Sequence, residues 1–336
     1  MKIIIPMAGM GKRMRPHTLT TPKPLIPVAG KPIVQWLVED IVKAVGTKVE
    51  EVAYVIGDFG KETEDALKNI AENAGAKSKI YYQQQALGTA HAVLCAADSL
   101  DGEVVVAFAD TIFRSDFKIS SANNFDGVIW VKKIEDPRQF GVVTVNNENI
   151  ITGFVEKSPT FVSDLAIIGI YYFRDGQRLK KEIQYLIDNN VRDKGEYQIT
   201  NALENMRQKN AKFFPGPVTD WLDCGNKNNT LQTNQRLLEL AQGKSLVAES
   251  VKKNNSVIIE PCFIGEDVII ENSVVGPYVS LGNNSQIKNS VVRGSIILNN
   301  SLVSDAVIYN SMLGNNVMYS GTSREVNIGD YSTEDN

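Results

Sequence analysis

Residues 1–32 read MKIIIPMAGMGKRMRPHTLTTPKPLIPVAGKP. The apolar run Ile3–Ile5 feeds directly into the small-residue loop Ala8-Gly9-Met10-Gly11. Lys12, Arg13 and Arg15 follow at once, and then Pro22-Lys23-Pro24. A buried strand that opens into a glycine loop lets backbone N–H groups come close to a phosphate. Cationic side chains beside the loop supply charge where phosphate oxygens would lie. The combination predicts a site for a nucleoside triphosphate. No Gly-Lys-Ser/Thr closes the loop and no third glycine follows, so it is neither a P-loop nor the dinucleotide fingerprint. Two glycines alone would equally describe a tight turn after a strand; the cations give the stretch its meaning.

Downstream, the first ~240 residues alternate between the two hydrophobic periods. Ile33, Leu37, Ile41 and Val45 recur every four residues within Lys31–Val45, with Val34, Val38 and Val42 beside them, which predicts a helix with one broad apolar face. Strands are expected at Glu51–Ile56, Lys79–Gln83 and Glu103–Ala109, and helices at Lys61–Asn73 and Thr89–Ala97. This alternation predicts an α/β domain over residues 1–242, a doubly wound and mostly parallel sheet covered on both faces. Such sheets bind ligands at the carboxyl ends of their strands. The Gly9/Gly11 loop, Gln83 and Asp110 all fall at those ends.

Past the linker-like Gln242-Gly243-Lys244-Ser245, the pattern changes. Apolar pairs recur every five or six residues, among them Ile258-Ile259, Phe263-Ile264, Ile269-Ile270, Val274-Val275 and Val291-Val292, with Gly, Asn, Asp and Ser between them. A short period with turn residues at each corner is the signature of a parallel β-helix, expected over 251–328. The polar stretch Tyr331–Asn336 is expected to fray.

The composition sets limits. Of the 336 residues 43% are hydrophobic, enough for a sizeable core in two domains. A net charge of −4 argues against nucleic acid as the main partner, so the positive charge near Arg13 is local and suits a small anionic ligand. No apolar run reaches the ~20 residues that span a membrane. The first residues read as the start of a strand, and no signal peptide is expected. Cys95, Cys224 and Cys262 are odd in number and far apart, which predicts reduced thiols and a cytoplasmic location.

Six segments, taken together and in order, resemble the sugar-phosphate nucleotidyltransferases. The stretch Ala8-Gly9-Met10-Gly11-Lys12-Arg13-Met14-Arg15-Pro16-His17-Thr18…Pro22-Lys23 resembles the family opening, with Met10 in place of a double glycine and Lys12 in place of a threonine. Gln83 followed by Leu87-Gly88-Thr89-Ala90-His91-Ala92 is similar to its base-recognition segment. Phe108-Ala109-Asp110 is similar to its metal aspartate, with Ala109 for the usual glycine. Phe140-Gly141-Val142-Val143 and Phe154-Val155-Glu156-Lys157 resemble its sugar-binding half, and Trp221-Leu222-Asp223-Cys224-Gly225 its second metal aspartate. Ala166-Ile167-Ile168-Gly169 lacks the Asn or Thr that the family often uses for a sugar contact. A left-handed β-helix tail is common in the family.

The resemblance implies transfer of a nucleotidyl group to a sugar 1-phosphate, with pyrophosphate leaving. Ala8, Gly9, Met10, Gly11, Lys12 and Arg13 would hold the triphosphate, and Lys23 would face the reacting phosphates. Asp110 and Asp223 would bind Mg²⁺, a cation that takes one or two carboxylates and keeps several waters. Gln83, Gly88 and Thr89 would take the base, and Gly141, Glu156 and Lys157 the sugar phosphate. A glutamine amide carries both donor and acceptor and matches the N3–H and carbonyl edge of uracil or thymine. dTTP or UTP with glucose 1-phosphate is therefore expected. Guanylyl transfer to mannose 1-phosphate and a non-catalytic regulatory homologue are the alternatives. The tail has no histidine, since His17 and His91 both precede it. Acyl transfer, which needs a histidine base, is therefore not expected there, and the tail is expected to support a homo-oligomer.

Overall fold

The structure, a computed structural model, describes residues 1–119 and 124–322. The expected limit of the β-helix at 328 and the polar end at 331–336 lie outside the described residues. Contacts divide the chain into two units. One combines Met1–Ile26 with Lys31–Asn229; the other combines Pro27–Gly30 with the chain from Thr230 onward.

The first unit is built on a nine-stranded sheet. Val104–Ala107, Lys2–Pro6, Glu51–Ile56 and Lys77–Tyr82 lie side by side in that order, all parallel. Ile3–Ile5, Val52–Ile56 and Val104–Ala107 are inaccessible to solvent, as a parallel sheet covered on both faces requires. The helix expected from Lys31 begins at Ile33, after Pro32, and ends at Val45 against Gly46. The helix Lys61–Asn73 lies where its period places it. The helix from Thr89 stops at Cys95, followed by a 3₁₀ turn at Ala97–Ser99.

The rest of the sheet makes it mixed. Leu165–Phe173 is antiparallel to Val104–Ala107, to Gly127–Lys133 and to Gly141–Val145. Ile151–Glu156 closes that edge against Gly141–Val145. Phe213–Pro217 runs parallel to Gly127–Lys133. Leu165–Phe173 changes register between Ile167 and Tyr171, and there Phe108 N donates to Gly169 O at 3.0 Å. A separate two-stranded ribbon pairs Thr111–Arg114 with Asp220–Asp223, antiparallel.

The second unit carries a parallel β-helix. Short strands from Leu246–Val247 to Met318–Ser320 form three parallel stacks. Each five- or six-residue period seen in the sequence is one strand, and three strands make a coil. Ile264, Ile270, Val275, Leu281, Ile287, Val292, Ile297 and Val303 fill the interior. Corners are taken by residues that tolerate positive φ, such as Asn272, Asn289 and Asp305. Their side chains form a ladder. Asn255 donates to Asn272 at 2.9 Å, Asn272 to Asn289 at 3.2 Å, and Asn289 to Asp305 at 2.9 Å. The steps along the ladder are 17, 17 and 16 residues. No helix among the described residues is long and apolar enough to cross a membrane.

Asn234 ties this unit together. It lies on the helix Lys227–Leu240 and is 1% exposed. Its Oδ1 accepts from Ala29 N at 2.8 Å and from Ser280 Oγ at 2.7 Å. Removing one partner strands the others without water. Asn234→Ala is expected to cost about 2–4 kcal/mol, since each orphaned buried donor costs roughly 1–3 kcal/mol. Urea unfolding of the two proteins measures the difference; an unchanged midpoint would show that these bonds do not hold the unit.

Candidate active site

Three strand ends meet at the carboxyl edge of the parallel strands, and a cleft lies there. It encloses about 290 Å³ and is lined by residues from each end: Pro6 to Gly9 with Gly11, Gln83, and Phe108 to Asp110. The glycine loop is pinned at both sides. Met7 N donates to Val55 O at 2.8 Å, and Met14 is buried beneath the 3₁₀ turn Lys12–Met14. Gly11 has φ +57°, and a Cβ there would lie 2.9 Å from Thr18 Cγ2 and 3.1 Å from Lys23 Cβ. Both the backbone sign and the close approach of Lys23 demand glycine. Thr18 Oγ1 donates to Gly11 O at 2.9 Å, fixing the turn from behind.

Lys23 reaches into this cleft from the 3₁₀ turn Lys23–Leu25. Its Nζ lies 2.8 Å from Asp110 Oδ2, with the lysine 13% and the aspartate 34% exposed. The ribbon supplies the second carboxylate. Asp223 stands opposite Thr111, the residue after Asp110. Cys224 N donates to Asp110 O at 2.9 Å, which locks the two strand ends together. Asp223 Oδ1 accepts from Gly225 N at 2.9 Å, and its Oδ2 accepts from Asn229 Nδ2. A Cβ at Gly225 would touch both Asp223 Oδ1, at 3.0 Å, and Arg13 Nη2, at 3.2 Å. Arg13 is thereby placed beside the second aspartate. Met10, Lys12 and Arg13 are exposed.

Gln83 follows Lys77–Tyr82, with its backbone N bonded to Ile56 O at 2.9 Å. Gly88 also lines the cleft, and its φ of +117° and a close neighbour account for the glycine. A Cβ there would lie 2.5 Å from Tyr197 O and 2.6 Å from Tyr197 N. The glycine therefore leaves room for the neighbouring chain segment. Tyr197 N donates to Leu87 O, and Ala90 N to Tyr197 O, each at 2.9 Å. Thr89 lines the cleft while its hydroxyl is held by Gln198 Oε1 at 3.1 Å and by Ile199 N at 3.0 Å.

Gly141, Glu156 and Lys157 come together on the antiparallel edge. Gly141 and Glu156 are register partners. Glu156 Oε2 accepts from Thr200 Oγ1 at 3.0 Å, and its Oε1 lies 3.3 Å from Lys157 Nζ. A Cβ on Gly141 would lie 3.0 Å from Glu156 Oε2, so the glycine leaves room for the carboxylate. None of the three is among the residues lining the cleft. Glu196 does line it, and nothing in the sequence pattern pointed there. Its position follows from the docking of Tyr197 against Gly88. The one local signal is Lys194-Gly195, where two consecutive positive φ values turn the chain.

Two carboxylates on adjacent strand ends, both hard oxygen donors, fit a magnesium ion that completes its shell with water and substrate phosphate. Among the described residues no group of three or more His, Cys, Asp or Glu gathers to hold a metal through protein alone.

The nucleotidyl transferase family model matches residues 2–240. The chain is 29% identical to a glucose-1-phosphate thymidylyltransferase of Streptomyces griseus, over 94% of this chain and 93% of that one. It is 30% identical to the bifunctional protein GlmU of Methanocaldococcus jannaschii, over 92% of this chain and 77% of that one. A solved structure of UDP-glucose pyrophosphorylase complexed with UDP-glucose superposes with a TM-score of 0.58 at 23% identity, over 71% of this chain and 98% of that one. A putative glucose-1-phosphate thymidylyltransferase from Bacillus anthracis gives 0.60 at 23% identity, over 73% and 96%. The shared shape adds support for the fold, and the family model decides the membership: the chain belongs to the nucleotidyl transferase family.

Proposed function

We propose that the protein transfers a nucleotidyl group from dTTP or UTP to glucose 1-phosphate, giving an NDP-sugar and pyrophosphate. The observation that carries the reading is the locked pair Asp110 and Asp223 beside Lys23 and the glycine loop. The names of the relatives, glucose-1-phosphate thymidylyltransferase among them, support the substrate class.

In this reading the sugar phosphate oxygen attacks the α-phosphate in line, and the P–O bond to pyrophosphate breaks. The protein contributes positioning and neutralisation of charge. The amides of Ala8 to Gly11 and the side chains of Lys12 and Arg13 hold the triphosphate. Lys23, already resting on Asp110, faces the reacting phosphates. Asp110 and Asp223 would hold Mg²⁺, which neutralises the phosphate oxygens when bound. Gln83, Gly88 and Thr89 border the base. Glu156 accepts from sugar hydroxyls, with Lys157 on the sugar's phosphate and Gly141 beneath. Domain limits of 1–242 and 251–328, a cytoplasmic location and a homo-oligomer complete the proposal.

Asp110→Asn is expected to abolish Mg²⁺-dependent turnover while leaving the fold intact by circular dichroism. A near-normal Mg²⁺-dependent rate would remove Asp110 from the chemistry. Arg13→Ala is expected to lower kcat by about 10²–10³, the loss typical of one preorganised charge-stabilising group. An unchanged kcat with only a higher KM for the sugar phosphate would show that Arg13 does not act on the transferring phosphoryl group. The reaction itself is tested by pyrophosphate release across five nucleoside triphosphates and several sugar 1-phosphates. Highest kcat/KM is expected for dTTP or UTP with glucose 1-phosphate. A GTP preference with mannose 1-phosphate would overturn the base assignment.

A further inference from the structure

The orientation of the Gln83 amide is decided by its partners. Its nitrogen lies 3.4 Å from Gly88 O and 3.0 Å from His91 Nδ1. A carbonyl oxygen only accepts, so the amide atom beside Gly88 O is the NH₂ group. The same NH₂ group must then donate to His91 Nδ1, which is an acceptor only when the imidazole is neutral and carries its proton on Nε2. Burial lowers the His91 pKa below the ordinary histidine value and so favours the neutral ring. With both N–H groups turned toward the protein, Gln83 has its carbonyl oxygen left for the cleft that it lines.

We propose that His91 is a positioning residue that fixes which end of the Gln83 amide meets the base, and thereby sets discrimination between uracil or thymine and cytosine. This rests on the pyrimidine reading of the site, with Gln83 supplying its acceptor to N3–H and not the donor expected for the neighbouring carbonyl. Uracil and thymine present an N3–H, which a fixed carbonyl oxygen accepts. Cytosine presents a bare N3 lone pair, so two acceptors would face each other. A reversed amide would donate to that lone pair and favour cytosine. The 3.4 Å contact to Gly88 O is long for an N–H···O bond and is a weak anchor by itself. His91 is therefore the group that holds the amide. The general point is that a polar edge rejects a mismatched base only if it cannot turn over.

The test is the ratio of kcat/KM for UTP to that for CTP, with one sugar 1-phosphate, in the wild-type protein, His91→Leu and His91→Asn. The ratio is taken within one preparation, so a partly misfolded variant does not distort it. His91→Leu is expected to lower the ratio about tenfold, which is the loss of roughly one hydrogen bond. His91→Asn, whose Oδ1 can accept where Nδ1 did, is expected to restore it to within about threefold of wild type. A ratio unchanged in His91→Leu, or lowered equally in both variants, would overturn the role of His91 while leaving the pyrimidine reading intact. A wild-type protein that prefers purine triphosphates would overturn both. A second measurement does not depend on activity. The chain has two histidines, so ¹H–¹⁵N correlation of the imidazole rings isolates His91 by its loss in His91→Asn. A neutral ring protonated on Nε2 is expected; a proton on Nδ1 would overturn the proposal.

Discussion

The site depends on one short ribbon. Thr111–Arg114 and Asp220–Asp223 pair in antiparallel register, and the Cys224 N to Asp110 O bond extends that pairing by a step. These strands are more than a hundred residues apart in sequence. Their pairing joins the two strand ends that carry Asp110 and Asp223, and carboxylates there call for cations and donors around them. The structure supplies these: the Lys23 ammonium on Asp110, and Gly225 N and Asn229 Nδ2 on Asp223. Arg13 adds a second cation beside Gly225. Asp110 lines the cleft, and Asp223 is half-buried beside its strand end, outside the cleft lining.

The parallel half of the sheet was legible because its strands are continuous apolar runs and its helices carry a clear period. Ile3–Ile5 and Val104–Ala107 could be read only as buried strands, and the ends of such strands fixed Gln83 and Asp110 in the cleft. The antiparallel half left a weaker trace. Leu165–Phe173 pairs with three neighbours through a register change at Gly169, and alternation cannot reveal which neighbours those are. Gly88 shows a different limit. A glycine lets another group approach the backbone, and the sequence does not show that Tyr197, over a hundred residues away, is such a group. Glu196 enters the cleft by the same docking and carries no local motif. The β-helix was legible in outline because each period is one strand and its corners ask for Asn, Asp and Gly. The order of the six segments, more than any one of them, is what singles out Glu156, Lys157 and Asp223 as candidates.

The side-chain ladder of Asn255, Asn272, Asn289 and Asp305 records where the tail can change length. Its steps shorten from 17 to 16 residues. The loss falls at a corner: four residues, 276–279, separate Val275 from Ser280, whereas three, 293–295, separate Val292 from Ile296. The faces keep their spacing because a one-residue slip would send every interior valine and isoleucine outward. Small insertions and deletions are therefore absorbed where the chain bends, and larger ones must arrive as complete circuits of three faces. The tail behaves as a ruler graduated in coils: its reach is quantised, while its corners remain free to vary.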